Sequence, residues 1–336
     1  MVSVIIPAYN VEDFIGQAVD SALSQTVSDL EIIVVDDGSQ DGTARVVAQF
    51  GDVRLRTMRK SNGGCASSRN AGVQISRGKY IAFLDGDDYW FRNKLERELE
   101  FFDQHPGADL IFSLSGIVDE VGQHRGLLKP GSYRSFSFEN LLIENPVGNG
   151  SAAIMRRKAL DLAGSFDESL PASSDWDMWL RIARIRHDNF VCLPEILTCY
   201  RRRREQTTGN WRRMQSAYEL VLNRARQEDP ETVQRAELLS RCNKNRYHAF
   251  LAYEAGETKE ARRLLADSLK CARWDFLLTT RSWLLGCAIF SKSYLPPGIH
   301  NSIERFFIRI RRGFYSRKIS RQAQSMNTLP YRASES

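Results

Sequence analysis

The first ninety residues alternate between short apolar runs and segments whose apolar residues recur every three or four positions. The apolar runs predict buried strands at 2–7, 30–39, 53–58 and 79–88. The periodic segments between them predict helices at 11–25, 41–50 and 66–76. Strands that alternate with helices are typical of an α/β domain with a doubly wound sheet.

Polar side chains follow three of the predicted strands at the point where each strand ends. In doubly wound sheets, ligands bind outside the carboxyl ends of the strands. The side chains at these ends are Tyr9 and Asn10, Asp36 and Asp37, and Asp85 and Asp87. The pattern therefore predicts a ligand site at one edge of the sheet.

The stretch "FLDGDDYW" (83–90) places three aspartates within four positions, and no histidine lies nearby in the sequence. Oxygen ligands without thiolate or imidazole suit Mg²⁺ or Mn²⁺. A D-x-D sequence is common, and a solvated aspartate-rich turn is the alternative. The second acidic strand end at Asp36 and Asp37 favours a metal and phosphate site.

Beyond residue 91 the pattern is looser, and after about 205 it is almost wholly helical. It predicts a helix at 94–106, a strand at 108–120, a strand leading into a helix at 151–164, and a helix at 173–185. The segment 245–272 predicts a helical hairpin that turns at "AGET". We therefore expect a first domain at 1–204 and a helical region at 205–336, with a frayed tail after about 320.

Charge is distributed unevenly along the chain, whose net charge is +6. Residues 1–200 contain 20 Lys and Arg against 28 Asp and Glu, whereas 201–336 contain 27 against 13. The segment 273–318 mixes basic with aromatic and aliphatic residues, which predicts contact with anionic lipid; the alternative is an ordinary basic surface. No nucleic-acid-binding motif accompanies the charge, so no nucleic-acid partner is expected.

The six cysteines form no CxxC pair and have no zinc-like spacing, which favours reduced thiols. No secretory signal is recognisable before the first strand, and no run reaches the ~18 apolar residues of a membrane span. The expected location is the cytoplasm, with peripheral contact at the cytoplasmic face of the inner membrane as a further possibility.

Five motifs stand in order along the first 200 residues: "VSVIIPAYN", "IIVVDDGSQDGT", "NGGCASSRNAG", "GKYIAFLDGDD" and "GSFDESLPASSDWDMWLRIA". Together they resemble the successive motifs of family 2 glycosyltransferases, which are inverting enzymes with a GT-A fold. The resemblance covers residues 2 to about 204. It implies a mixed, doubly wound sheet flanked by helices, and the helical region is then a C-terminal extension.

The resemblance also implies roles for residues around a nucleotide-sugar donor. It implies a nucleotide pocket lined by Pro7, Tyr9 and Asn10, with Asp36 bonded to a uracil or thymine base. Arg69 would lie close to the nucleotide and Asp85 against the ribose or sugar. Asp87 would hold Mg²⁺ or Mn²⁺ on the diphosphate.

On the acceptor side, Asp175 matches the general base that takes a proton from the attacking hydroxyl. Helix capping is the alternative for this residue. Asp177 is a weaker candidate, because two residues along a helix correspond to about 200° of rotation. The adjacent Trp176 is expected to contact the acceptor.

Two positions depart from the family pattern. Ser174 precedes Asp175 where an acidic residue is common, and Arg203 stands where many members have a histidine. A guanidinium cannot bind a metal but can hold a diphosphate, so Arg203 is expected to bind the donor. The segment 201–204 as a whole is then a mobile flap that closes on the diphosphate, and a solvated basic turn is the alternative.

These observations predict a metal-dependent glycosyltransferase of the hexosyltransferase type. It would move a sugar from a UDP- or dTDP-sugar to a hydroxyl of a glycan or lipid-linked acceptor, for surface polysaccharide or glycolipid synthesis. A sugar nucleotidyltransferase is less favoured, since no Gly-rich basic loop follows the first strand. A non-catalytic scaffold on the same fold is the other alternative.

Overall fold

A mixed β-sheet and a set of C-terminal helices make up the computed structural model, which describes residues 1–128, 136–186, 189–203, 206–296 and 298–300. The strands are β1 Val2–Ala8, β2 Leu30–Asp36, β3 Leu55–Arg59, β4 Tyr80–Phe83, β5 Tyr89–Trp90, β6 Leu110–Val118, β7 His124–Leu128, β8 Ala153–Arg156 and β9 Phe190–Arg201. The helices are α1 Glu12–Leu23, α2 Thr43–Val47, α3 Gly64–Ile75, α4 Lys94–Gln104, α5 Phe138–Ile143, α6 Arg157–Ala163, α7 Ser174–Ile185, α8 Trp211–Glu228, α9 Pro230–Glu254, α10 Thr258–Cys271, α11 Arg273–Leu278 and α12 Thr280–Tyr294. The predicted frayed tail lies outside the described residues.

The strands follow the order β3-β2-β1-β4-β8-β6-β9-β5, and β7 pairs with β6. Strands β1 to β4 pair in parallel, so their carboxyl ends meet at one edge. Strand β8 runs antiparallel to both β4 and β6. The sheet is therefore doubly wound on one side and mixed on the other.

Alternate residues of β1 supply two separate cores, because successive side chains of a strand point to opposite faces. Val4 and Ile6 lie in a core with α1 and α4, whereas Ile5 lies in a core with α3, α5 and α7. Helices therefore cover both faces of the sheet, which is why its strands are continuous apolar runs.

The C-terminal helices pack on the sheet domain through α9. Ser240 donates a hydrogen bond to the Leu142 carbonyl at 2.6 Å, and Asn243 Nδ2 donates to the Ile143 carbonyl at 3.2 Å. The predicted hairpin is present as α9 and α10, which turn through Gly256. Within the described residues, no helix is long and apolar enough to cross a membrane.

Candidate active site

The carboxyl ends of β1 and β2 form one side of the candidate site. The chain leaves β1 through Asn10, whose φ of 49° is a left-handed conformation that asparagine tolerates. Asn10 Oδ1 accepts a hydrogen bond from the Gln40 N–H at 2.9 Å, and the Asn10 N–H donates to Ser39 Oγ at 3.1 Å. These bonds join the loop after β1 to the loop after β2. Pro7 is buried in β1, and Tyr9 is exposed beside these loops.

Asp36 ends β2 as a buried carboxylate with one unsatisfied oxygen. Its Oδ1 accepts from the Ser39 N–H at 2.8 Å. Its Oδ2 has no hydrogen bond among the described residues, although Arg59 Nε lies 3.5 Å away. A buried acceptor without a donor is unfavourable, and the N–H of a pyrimidine base would satisfy it. This geometry fits the predicted role of Asp36, which stays a prediction.

Its neighbour Asp37 holds the start of α3. The carboxylate accepts hydrogen bonds from Lys60 Nζ at 2.7 Å, from the Gly63 N–H at 3.0 Å and from the Gly64 N–H at 2.7 Å. A carboxylate at a helix N-terminus stabilises the exposed N–H groups there. Asp37 therefore fixes the helix that carries Arg69.

Arg69 has a buried guanidinium that reaches the loop after β4, residues 85–88, which forms the acidic loop. Its Nη2 donates to Asp85 Oδ1 at 2.8 Å, and its guanidinium lies 5.7 Å and 5.6 Å from the ring centres of Phe83 and Phe166. A side chain at Gly150 would place its Cβ 2.6 Å from Nη2. The Arg69 guanidinium is therefore held in one place, against Asp85.

Asp87, the predicted metal ligand, forms an ion pair with Arg203. Arg203 Nε lies 2.7 Å from Asp87 Oδ2, and the guanidinium packs over the Phe14 ring. Burial raises the pKa of Asp87, while the Arg203 charge opposes that shift. The structure thus places Arg203 at the carboxylate rather than in a solvated turn.

Asp88, the third aspartate of the acidic loop, does not cap the next helix, α4. The helix begins at Lys94, and Asp88 is buried below the loop. It accepts hydrogen bonds from Ser151 Oγ at 2.6 Å and from the Arg201 N–H at 2.8 Å. Burial and the neighbouring aspartates raise the pKa of Asp88 well above its usual value.

Arg201, at the end of β9, clamps the acidic loop to the rest of the domain. Its Nε donates to the Asp87 carbonyl at 2.8 Å, and its Nη1 donates to the carbonyls of Asp119 at 3.1 Å and Glu120 at 2.9 Å. Its Nη2 donates to Gln17 Oε1 at 2.5 Å. From the sequence, Arg201 is expected only as part of the basic segment 201–204, as a solvated turn or as a flap over the diphosphate. The signal for a structural role is the apolar run at 196–200 directly before Arg201.

A buried ion pair between Lys94 and Glu98 supports the same loop from below. Lys94 Nζ also donates to the Ala152 carbonyl at 3.1 Å and lies 5.2 Å from the centre of the Trp90 ring. Ala152 follows Ser151, whose hydroxyl bonds to Asp88. The pair therefore stabilises the turn on which the acidic loop rests.

Asp175, the predicted base, lies in the first turn of α7, beyond Ser173 in a left-handed conformation. Its Oδ1 accepts from the Trp176 N–H at 2.8 Å, and Oδ2 makes no hydrogen bond or ion pair within the described ranges. Burial raises the pKa of Asp175, and the positive charge of Arg69 opposes this. One carboxylate oxygen is thus available to a substrate.

Asp177 is unavailable for the same role. Its carboxylate is buried and forms ion pairs with Arg181 at 2.9 Å and Arg224 at 2.8 Å. The pair with Arg224 anchors α7 to α8, so Asp177 has a structural role.

The predicted contact between Trp176 and an acceptor is wrong for this structure. The side chain is 1% exposed, its ring is stacked on Tyr218 at 5.8 Å, and its indole N–H donates to the Leu141 carbonyl at 2.8 Å. The residue faces the core because it lies on the buried side of α7 together with Trp179.

Asp87 is the side chain of the acidic loop that would hold a metal arriving with a diphosphate. Within the part of the chain that the structure describes, no group of three or more His, Cys, Asp or Glu side chains could hold a metal ion. Mg²⁺ commonly needs only one or two carboxylates and completes its shell with phosphate oxygens and water. Asp87, with a cationic group already against it, fits this arrangement.

Replacing Arg203 is expected to strengthen metal binding, since its guanidinium competes for Asp87. In Arg203→Gln, Mn²⁺ should bind the nucleotide-free protein about tenfold more tightly, the size of one charge-assisted hydrogen bond. Titration followed by electron paramagnetic resonance of free Mn²⁺ measures this affinity. Arg202→Gln is the matched control, because Arg202 pairs with Glu254 instead. Unchanged or weaker Mn²⁺ binding in Arg203→Gln would contradict the competition.

Comparisons with known proteins identify the family of the chain. The model of glycosyl transferase family 2 matches residues 3–162. An uncharacterized glycosyltransferase of Rickettsia typhi is 32% identical over 227 residues, which cover 66% of this chain and 70% of the relative. The chondroitin synthase of Pasteurella multocida is 34% identical over 203 residues, which cover 59% of this chain and 20% of that protein. The match to an uncharacterized glycosyltransferase of Rickettsia conorii spans 32% of the length of that relative.

Solved structures share the fold at low sequence identity. S. aureus TarS 1-349 in complex with UDP-GlcNAc is 18% identical, with a TM-score of 0.58 and 87% of each chain covered. The mannosyltransferase PcManGT from Pyrobaculum calidifontis, in complex with GDP-Man and Mn²⁺, is also 18% identical, with a TM-score of 0.57 and 93% of this chain covered. These likenesses confirm the GT-A type of mixed sheet flanked by helices, with C-terminal helices. The chain belongs to glycosyltransferase family 2.

Proposed function

We propose that the protein is an inverting, metal-dependent glycosyltransferase that uses a UDP- or dTDP-sugar and a hydroxyl acceptor. The observation that supports this most strongly is the position of Arg69. It donates to Asp85, and its Nη1 lies 3.5 Å from Ser174 Oγ, directly before Asp175. The Arg69 guanidinium therefore contacts both Asp85, which is predicted to bind the donor, and the residue directly before the predicted base.

The chemistry follows from this arrangement. Asp175 takes the proton of the acceptor hydroxyl as its oxygen forms a bond to the anomeric carbon. The bond from that carbon to the diphosphate oxygen breaks in the same step, so the configuration inverts. A divalent metal, when bound, neutralises charge on the departing diphosphate. Arg203, released from Asp87, is placed to bind the same diphosphate.

The donor and acceptor classes are proposed on further grounds. The unsatisfied Oδ2 of Asp36 suits the N–H of uracil or thymine. The TarS structure holds UDP-GlcNAc, and two Pasteurella multocida relatives are a chondroitin synthase and a hyaluronan synthase. These names support a glycan acceptor, or a lipid-linked one, in surface polysaccharide or glycolipid synthesis.

A screen of nucleotide sugars with purified protein and Mn²⁺ tests this function. We expect a UDP- or dTDP-sugar to raise the melting temperature and to release its nucleoside diphosphate when an acceptor is present. If no donor stabilises the protein or turns over, even with membrane lipid supplied, the enzymatic proposal fails and a scaffold on the same fold is favoured.

We also propose peripheral contact with an anionic membrane through α11 and α12. Apolar side chains at α12 positions 283, 287, 290 and 294 follow helical spacing along one exposed face. Trp283 is 56% exposed, and Leu278 on α11 is 85% exposed. Arg281 and Lys292 lie on the opposite side of α12, where Arg281 pairs with Glu144 and Lys292 Nζ donates to the Tyr253 carbonyl. An exposed apolar stripe in a region with 27 Lys and Arg against 13 Asp and Glu suits a layer of anionic lipid.

A negative charge on the apolar stripe is expected to weaken binding to vesicles. Trp283→Asp should reduce co-sedimentation with phosphatidylglycerol vesicles about tenfold or more, because burying a large apolar side chain contributes ~1.5–3 kcal/mol. Leu238→Asp is the control, since Leu238 on α9 is 62% exposed but lies outside the stripe. Equal binding by the two variants and the unmodified protein would exclude this surface.

A further inference from the structure

Helix α9 brings a lysine from the C-terminal region to the predicted base. Lys244 Nζ lies 4.0 Å from the centre of the Trp176 ring, and Trp176 directly follows Asp175. Asn243 fixes this level of α9 against the end of α5 through its bond to the Ile143 carbonyl. Lys244 therefore lies against the ring of a core residue, and its charge is close enough to Asp175 to act on the pKa of that carboxyl.

This ammonium differs from the arginines around it in having no carboxylate partner. Arg69, Arg202 and Arg203 pair with Asp85, Glu254 and Asp87 at 2.5–2.8 Å. Across the ranges that the structure describes, Lys244 makes no hydrogen bond or ion pair. Its Nζ lies over the faces of the Trp176 and Tyr218 rings, at 4.0 Å and 6.0 Å from their centres.

The nearest carboxylates are committed to other functions. Asp175 is the proposed base, and Glu144 pairs with Arg281 at 3.3 Å. Burial lowers the pKa of Lys244 to about 8, although both carboxylates oppose that shift. A half-buried cation without an acceptor is unfavourable and is satisfied when an anion arrives.

We propose that Lys244 forms an anion subsite in the acceptor pocket, which selects acceptors bearing a phosphate or carboxylate close to the attacking hydroxyl. This inference rests on the proposed function, because it places the acceptor next to Asp175. The three N–H donors of an ammonium can serve either kind of anion. The C-terminal helices would then contribute to acceptor choice as well as to the fold.

Paired probes test the subsite by binding alone. Calorimetry with the full chain compares glycerol 1-phosphate with glycerol, and methyl glucuronide with methyl glucoside, with and without UDP and Mn²⁺. We expect at least one anionic probe to bind about tenfold more tightly than its neutral partner. The probe that binds more tightly distinguishes a phosphate-bearing from a uronic-acid acceptor.

Variants separate this role from packing on Trp176. Lys244→Met should remove the preference for the anionic probe, whereas Lys244→Arg should keep it. The control is Lys259→Met, at an exposed lysine on α10. Equal binding of neutral and anionic probes, or an equal loss of both in Lys244→Met, would overturn the proposal. Failure of UDP binding in the unmodified protein would instead count against the proposed function.

The pH dependence provides a second readout. The charged or titratable groups facing Lys244 are Asp175 on α7, Glu144 after α5, Tyr218 on α8 and His248 on α9. Burial lowers the pKa of His248 to about 3, so it is neutral near pH 8. Anion binding should be complete below pH 8 and weaken as the pH rises above it, because the ammonium loses its proton. In Lys244→Arg, anion binding should not change with pH over this range. Anion binding by the unmodified protein that does not change with pH would contradict the subsite.

Discussion

Asp175→Asn is expected to lower glycosyl transfer about 10²–10⁴-fold, the usual contribution of a positioned general base. The amide has nearly the same shape but cannot accept the proton of the acceptor hydroxyl. Asp175 Oδ2 makes no hydrogen bond or ion pair within the described part of the chain, so the fold should tolerate the change. Steady-state rates at saturating donor and acceptor measure the effect.

Donor binding provides the internal control for this variant. The affinity for the nucleoside diphosphate should stay within about twofold, because Asp175 belongs to the acceptor side of the site. Asp161→Asn, at an exposed aspartate on α6, should retain full activity. If Asp175→Asn kept more than about a tenth of the transfer rate, Asp175 would not be the base.

Lys94→Met is expected to lower the free energy of unfolding by about 3–5 kcal/mol, the cost of leaving one member of a buried ion pair without its partner. Lys94 and Glu98 are both fully buried, and Glu98 Oε2 already has no hydrogen bond among the described residues. Urea unfolding at pH 7 measures the loss.

The double variant Lys94→Met, Glu98→Met separates charge from packing. Apolar side chains of similar volume in place of both charges should restore stability to within about 1 kcal/mol of the unmodified protein. Burial raises the pKa of Glu98, so in the single variant this group favours folding only while it is protonated. The loss should therefore shrink as the pH falls and grow as it rises. A single variant that unfolds like the unmodified protein would contradict this account.

The parallel half of the sheet could be predicted because its signals are local. The runs at 2–7 and 30–39 are continuously apolar, and the structure has strands at Val2–Ala8 and Leu30–Asp36. Strand β9 was not predicted, since Pro194 and Glu195 interrupt its apolar pattern. It forms by pairing with β6, about eighty residues earlier, and the pairing register shifts near Ser113. Such pairing leaves little trace in the local sequence.

The same distinction applies to the site. The acidic strand ends could be placed at one edge because parallel strands bring their carboxyl ends together. The pairing of each aspartate could not be predicted, since Asp88 meets Arg201 from 113 residues away and Asp87 meets Arg203 from 116. Lys244 could not be found from sequence either, because its position depends on how α9 packs against α5 and α8.

The orientation of Trp176 shows a related limit. The sequence places this residue next to the base, which suggested contact with the acceptor. The direction of a helical side chain depends on which face of the helix is buried, and Trp176 and Trp179 both face the core. Adjacency along the chain therefore does not imply adjacency to the substrate.

The configuration of the glycosidic product tests the central claim most directly. With Mn²⁺, an α-linked UDP- or dTDP-sugar and an acceptor that turns over, the anomeric proton coupling in the NMR spectrum identifies the linkage. Displacement in one step by a hydroxyl that Asp175 deprotonates predicts a β-linked product, formed together with one nucleoside diphosphate. An α-linked product would contradict this account of the site.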